Sequence, residues 1–189
     1  MVRRKYKTNS AIELMNVSNR GRPAGMVPAI AAPLPHDVDV SFEFFPPADL
    51  AAEAQFAATL HKLEPLEPEF VSVTYGAGGT TQERTLETVA KIRRNTRLEP
   101  AAHLTCIGAT RDQVDAVARQ IWDAGINRIV ALRGDPPKGA NHYTPFPGGY
   151  AYAADLVAGL KRIADFKIAV ACYPEVHPEA ANADADIDN

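Results

Sequence analysis

Four short stretches of this chain carry side chains able to move protons or bind charge. In VDVSFEFFPP, Val38 to Pro47, the carboxylate of Glu43, set between Phe42 and Phe44, interrupts an apolar strand-like run just before a double proline. Taking an acid out of water favours its neutral form and raises its pKa, so Glu43 is a candidate proton donor. The alternative is a glutamate satisfied by a neighbouring Arg or Lys, since ion-pair networks also perturb carboxylates. The sequence Leu132-Arg133-Gly134-Asp135-Pro136-Pro137 sets a fixed cation and an anion on either side of a glycine. Gly134 lets a ligand approach the backbone, Arg133 suits a phosphate or polarised carbonyl, and Asp135 could stabilise a cation or tune an electron-rich ring. A solvated turn would use the same tripeptide. His103 lies in AAHLTCIGAT, Ala101 to Thr110, and Tyr173 to Ala180 reads YPEVHPEA, with an aromatic, two acids and His177. His103 and His177 lack the paired local spacing of a zinc ligand set. No Ser–His–Asp order can be assigned and neither cysteine has an evident base beside it, so proton transfer and cofactor binding fit better than nucleophilic catalysis.

The elements that must hold these residues alternate between short apolar runs and longer amphipathic ones, the pattern of βα units on a parallel sheet. Strands are expected at Val38–Phe45, Phe70–Tyr75, Ala101–Ile107, Arg128–Leu132 and Lys167–Cys172. Helices are expected at Ala48–Leu63, Gln82–Thr96, Thr110–Ala124 and Tyr152–Ile163, where apolar residues such as Val114, Val117, Ala118 and Ile121 recur at three- and four-residue spacing. Thr81 and Thr110 suit N-caps, and Gly125 sits where a helix would end. A doubly wound nucleotide fold should show a glycine fingerprint after an early strand, but GAGG at Gly76 to Gly79 has the spacing of neither the dinucleotide nor the P-loop motif. The first three strands instead carry polar pairs near their C-terminal ends: Ser41 and Glu43, Ser72 and Thr74, His103 and Thr105. Period two puts each pair on one face, and in a (β/α)8 barrel these strand ends ring a shared mouth. The fold class is therefore α/β, of (β/α)8 TIM-barrel type, with about five of the eight βα units in this chain.

At 189 residues, with 46% hydrophobic and 23% charged, the chain can bury a real core and is not intrinsically disordered. Residues 1–36 hold six cations against Glu13, net +5, which leaves −8 for the rest of a chain whose net charge is −3. This segment is expected to be a basic, flexible N-terminal extension, with residues 37–189 forming the partial barrel. One aromatic, Tyr6, and no repeated basic motif argue against a nucleic-acid arm, and Met15 and Met26 offer alternative starts. Cys106 and Cys172, each ending an apolar run, are too few for a disulfide framework; both are expected to pack in the core of a cytoplasmic protein. No run is long enough for a membrane span.

Together, SFEFFPP at Ser41–Pro47, FVSVTYGAGGTTQERT at Phe70–Thr85, AAHLTCIGAT, IVALRGDPP at Ile129–Pro137, YAADLV at Tyr152–Val157 and YPEVHPEA resemble bacterial methylenetetrahydrofolate reductase. The resemblance implies a flavin-dependent barrel in which NADH or NADPH reduces FAD and 5,10-methylenetetrahydrofolate then takes the hydride in a ping-pong cycle. It implies that Glu43 is the general acid that opens the folate methylene bridge to an iminium, and that Asp135 lies beside the flavin and the cationic folate. It implies that Thr74 lies near the nicotinamide, and that Tyr75, Ala77, His103, Arg133, Gly134, Tyr152, Ala153, Tyr173, His177, Ala180, Asp186 and Asn189 line FAD. Tyr152 and Ala153 could instead simply pack a helix. Three barrel units and the family's folate-binding glutamine are not in this sequence, so two sheet edges and an apolar interior are expected to need a second copy or a complementing chain. A non-catalytic subunit of such an assembly is the alternative. A phosphate-binding aldolase would need a Schiff-base lysine at a strand end, and none of the five expected strands ends in one.

Overall fold

The structure is a computed structural model that describes residues 39–75, 82–136, 139, 143–172, 175–177 and 180–187. The expected basic extension, the Thr81 cap and the site residues Ala77, Tyr173 and Asn189 lie outside them. Strands and helices alternate as β1 (Ser41–Phe44), α1 (Leu50–Leu63), β2 (Phe70–Val73), α2 (Gln82–Asn95), β3 (Pro100–Thr105), α3 (Arg111–Asp123), β4 (Arg128–Leu132), α4 (Ala153–Ile163), β5 (Lys167–Val170) and a short α5 (Ala183–Ile187). The strands follow chain order, β1-β2-β3-β4-β5, in one sheet. The described chain divides into two compact units, with the boundary inside β3 between Ala101 and Ala102.

In the first unit β1 and β2 pair in parallel, with Phe42 beside Val71, Glu43 beside Ser72 and Phe44 beside Val73. Phe44 turns to the helix side, where its ring meets Phe56 of α1 edge-on at 5.1 Å. Such a contact contributes about 0.5–1.5 kcal/mol beyond the area it buries. Alternation along the strand therefore sends Glu43 and Ser72 to the opposite face. Helix α1 starts at Leu50 rather than Ala48 because Asp49, in an extended conformation, caps it by accepting from Ala52 N at 2.8 Å. Strand β1 is shorter than expected at both ends, although Glu69 N still donates to Val40 O at 2.8 Å just ahead of it.

In the second unit α3 buries Val114, Val117, Ala118 and Ile121, the stripe expected from their spacing. Thr110 is the N-cap, as its residue type suggested, and the helix proper starts one residue later at Arg111: the Thr110 hydroxyl accepts from Gln113 N while the Gln113 side chain accepts from Thr110 N, a complete capping box. Gly125 closes the helix at φ +77°. Trp122 packs edge-on against the fully buried Phe166 at 5.1 Å. Strands β4 and β5 pair in parallel, Arg128 beside Lys167 through Ala131 beside Val170. Cys106 is buried in the core as expected. Cys172 is not: β5 ends at Val170, and the thiol two residues on is exposed.

Candidate active site

Each unit carries its own part of the candidate site. In the first, Thr74 is held by its backbone, its N–H donating to Phe44 O and its carbonyl accepting from the Thr85 hydroxyl of α2, both at 2.8 Å. The first bond ties the C-terminal ends of β1 and β2 together, one residue beyond Glu43 and immediately after Val73, and the second anchors that end to α2. Glu43 is half-buried, with its Oε2 shielded from solvent. It is not the isolated carboxylate that the apolar run suggested, because it interacts with other groups of the protein. Its Cα partner Ser72 is only 2% exposed, so Glu43 is flanked by a buried hydroxyl on the face that α1 does not cover.

In the second unit the residues after β4 form one cluster. Gly134 adopts φ +91°, and a Cβ there would lie 2.5 Å from Ile107 Cγ2 and 3.2 Å from Thr105 Cβ. Only glycine fits so close an approach in that backbone region. The turn it permits leaves Arg133 half-buried and Asp135 exposed. Arg133 Nε donates to Gly134 O at 3.3 Å, and the guanidinium lies 4.4 Å from the centroid of the Tyr143 ring. Tyr143 donates its hydroxyl to Ala151 O at 2.5 Å and lies 5.8 Å, ring to ring, from Tyr152. Below them Cys106 Sγ donates to Arg133 O at 3.4 Å, and its backbone N–H donates to Leu132 O at 3.2 Å. Burial, with the Cys106 side chain next in order, pushes the Tyr143 phenol up to about 12; burial likewise pushes the Cys106 thiol up. Both groups are therefore neutral at physiological pH.

Tyr152 lies at the N-cap of α4 and is 55% exposed, and the Asp155 carboxylate accepts from its backbone N–H at 3.1 Å. Ala153 opens the helix and is half-buried. His103 is buried in β3 at 4% exposure, and Tyr75 is half-buried, which raises its phenol pKa. Farther along, the backbone N–H of His177 donates to the Asp186 carboxylate at 2.8 Å, and Ala180 N donates to His177 O at 2.9 Å. Three residues expected to share a ligand are thus tied to one another, through the short α5 that the sequence reading did not anticipate. Asn182 starts that helix by accepting from Ala185 N at 2.9 Å. Sequence reasoning also missed Tyr143 and the placement of Cys106 beneath it; the available signal was an aromatic residue in a Pro/Gly-rich loop directly after Arg133-Gly134-Asp135.

Parallel strand–helix units with polar side chains near their C-terminal strand ends define an α/β protein of the barrel-forming kind. A family model described as methylenetetrahydrofolate reductase matches residues 30–189. The chain is 50% identical over 152 residues to the 5,10-methylenetetrahydrofolate reductase of Salmonella typhimurium and 49% identical over 152 residues to that of Escherichia coli. Each match covers 80% of this chain and 49% of the relative. It is 38% identical over 146 residues to methylenetetrahydrofolate reductase (NADH) 1 of Arabidopsis thaliana, covering 76% of this chain and 25% of that protein. The chain belongs to the methylenetetrahydrofolate reductase family, and its strand–helix repeats are an N-terminal portion of a (β/α)8 barrel. It spans about half the length of the bacterial relatives it matches.

Proposed function

We propose that this chain supplies the proton donor and much of the cofactor pocket of a cytoplasmic, flavin-dependent methylenetetrahydrofolate reductase. The observation that carries the reading is the family match over residues 30–189, which takes in every site residue named above. The chemistry of the groups around Arg133 fits the cofactor. A half-exposed tyrosine, a second aromatic ring and a guanidinium suit a flat ring system bearing phosphates, as FAD does. FAD, when bound, would supply hydride transfer from NADH or NADPH to the folate.

The chain's own residues have separate tasks in this reading. Glu43, on a strand face beside a buried serine, donates the proton that opens the methylene bridge of the folate to an iminium. Asp135, exposed next to Gly134, places a negative charge where the cationic folate and the flavin ring meet. Thr74 orients the nicotinamide, held by its two backbone hydrogen bonds. Tyr75, Ala77, His103, Arg133, Gly134, Tyr152, Ala153, Tyr173, His177, Ala180, Asp186 and Asn189 contribute to the FAD pocket. Among the described residues no helix is long and apolar enough to cross a membrane. Val170 is 55% exposed on the edge strand β5, which favours a covering surface from a second copy or a complementing chain.

The test is the visible spectrum of the purified chain after incubation with FAD and removal of free cofactor. A retained flavin band supports the reading. Soluble, folded protein that retains none overturns the claim that these residues suffice for a cofactor pocket.

A further inference from the structure

We propose that Tyr143 is a positioning residue of the flavin pocket, a clasp that fixes Arg133 and Tyr152 relative to each other before the cofactor arrives. The inference rests on the flavin reading above and extends it to a residue that the sequence reading did not assign to the site. Tyr143 reaches three separate parts of the loop between β4 and α4. Its ring lies under the guanidinium of Arg133, at the start of the loop, at 4.4 Å. Its hydroxyl donates to Ala151 O, at the far end, at 2.5 Å. Its edge approaches the ring of Tyr152, the N-cap of α4, at 5.8 Å.

The floor of the clasp is a buried, hydrogen-bonded thiol. Cys106 is fully buried after β3, donates to Arg133 O, and contacts the Tyr143 hydroxyl. Since the phenol stays protonated to about 12, it can only donate to Ala151 O at working pH, and the bond holds across the neutral range. An arginine tethered at 4.4 Å over an aromatic face has lost most of its rotamer freedom before binding. A ligand phosphate or carbonyl then meets a preformed donor fork and does not carry the ordering cost. Tyr152, more than half exposed, is steadied from behind by Tyr143 and keeps its outer face for a flat ring. The two halves of the contact are separable by chemistry: the ring holds Arg133, and the hydroxyl holds Ala151.

Tyr143→Leu and Tyr143→Phe separate them in the experiment. FAD dissociation constants are measured by quenching of flavin fluorescence, and Cys106 exposure by the rate of reaction with Ellman's reagent in a Cys172→Ser background, with melting curves to confirm folding. The wild-type chain is expected to bind FAD and to hide Cys106. Tyr143→Leu is expected to raise the FAD dissociation constant about tenfold, equivalent to ~1.4 kcal/mol, and to accelerate thiol reaction. Tyr143→Phe, which keeps the ring over Arg133, is expected to recover most of the affinity, while thiol reaction stays faster than in the wild type. Folded Tyr143→Leu that binds FAD as tightly as the wild type overturns the clasp and leaves the flavin reading standing. Leu and Phe variants that weaken FAD equally also overturn it, because the guanidinium contact would then be idle. A wild-type chain that binds no FAD overturns the flavin reading and the clasp's role in it together, even if the thiol rates respond.

Discussion

Replacing Gly134 by alanine should destabilise the protein far more than the same change at Gly125, although both glycines have positive φ. At Gly125, φ is +77° and a Cβ would meet nothing within 4 Å. Only backbone strain opposes alanine there, about 1–2 kcal/mol for an L-residue in the left-handed region. Alanine also restricts the unfolded chain, which returns roughly 0.4–1 kcal/mol. Gly125→Ala is thus expected to cost about 1 kcal/mol or less. At Gly134, φ is +91° and the new Cβ would lie 2.5 Å from Ile107 Cγ2, 3.0 Å from Ile107 Cβ and 3.2 Å from Thr105 Cβ. Ile107 Cβ cannot move without its backbone, and rotating its β-branched χ1 to carry Cγ2 away means leaving a preferred rotamer, so overpacking adds about 1–3 kcal/mol. The expected total for Gly134→Ala is roughly 1–4 kcal/mol. Urea unfolding followed by far-ultraviolet circular dichroism and Trp122 fluorescence measures both variants on one footing. Adding Ile107→Ala to Gly134→Ala should return about 1–2 kcal/mol relative to the sum of the single changes, since the clash has then been removed. If Gly134→Ala costs no more than Gly125→Ala, the steric reasoning is wrong; if neither cost reaches about 0.5 kcal/mol, so is the strain reasoning.

Four other outcomes can be checked independently. Glu43→Gln should keep FAD binding and NAD(P)H oxidation by the flavin but lose folate reduction; equal loss in both half-reactions, measured by stopped flow, would remove Glu43 as the acid. Asp135→Asn should move the flavin potential upward by about 20–30 mV, equivalent to ~1 kcal/mol for a two-electron couple, because an anion that opposes electron uptake is gone. A potential identical to the wild type's would take Asp135 away from the flavin. Thr110→Ala removes the hydroxyl that accepts from Gln113 N, leaving only the Thr110 N–H bond to the Gln113 side chain, and should lower stability by about 1 kcal/mol in urea titration. Glu64 accepts from Arg97 N at 2.8 Å, the main cause of its lowered pKa, with His61 Nδ1 contributing at 3.3 Å. A depressed folded pKa gives stability that is complete above the ordinary value of 4.5 and is lost as pH falls through the folded pKa. Glu64→Gln should therefore flatten the stability profile below pH 4.5, and an unchanged acid limb would refute that role.

The order and type of the main elements were legible because each rests on local periodicity. The three- and four-residue spacing of Val114, Val117, Ala118 and Ile121 means one buried face wherever α3 packs, and Arg128–Leu132 is a strand with the bounds its apolar run suggested. Element ends were less legible. A cap such as Asp49 is helix-compatible in composition and is distinguished only by its extended backbone and the hydrogen bond its side chain accepts, whereas Thr110 was legible as a cap from its residue type and place. Cys172 illustrates the same limit: an apolar run marks a strand, but whether its last residues are covered depends on what packs over them.

The sequence by itself determined the chemistry available: one acid in an apolar strand, a cation and an anion around a glycine, and the family to which their combination belongs. Side-chain identity is sufficient for that, because charge, acidity and strand alternation are local properties. Only the tertiary structure decided which groups support one another. It sets Tyr143 between Arg133 and Tyr152, Cys106 beneath them, and the Asp186 carboxylate on the His177 N–H. Those contacts join residues 9 to 37 positions apart through loops whose closure is fixed by nonlocal packing, and no periodicity in the chain encodes them.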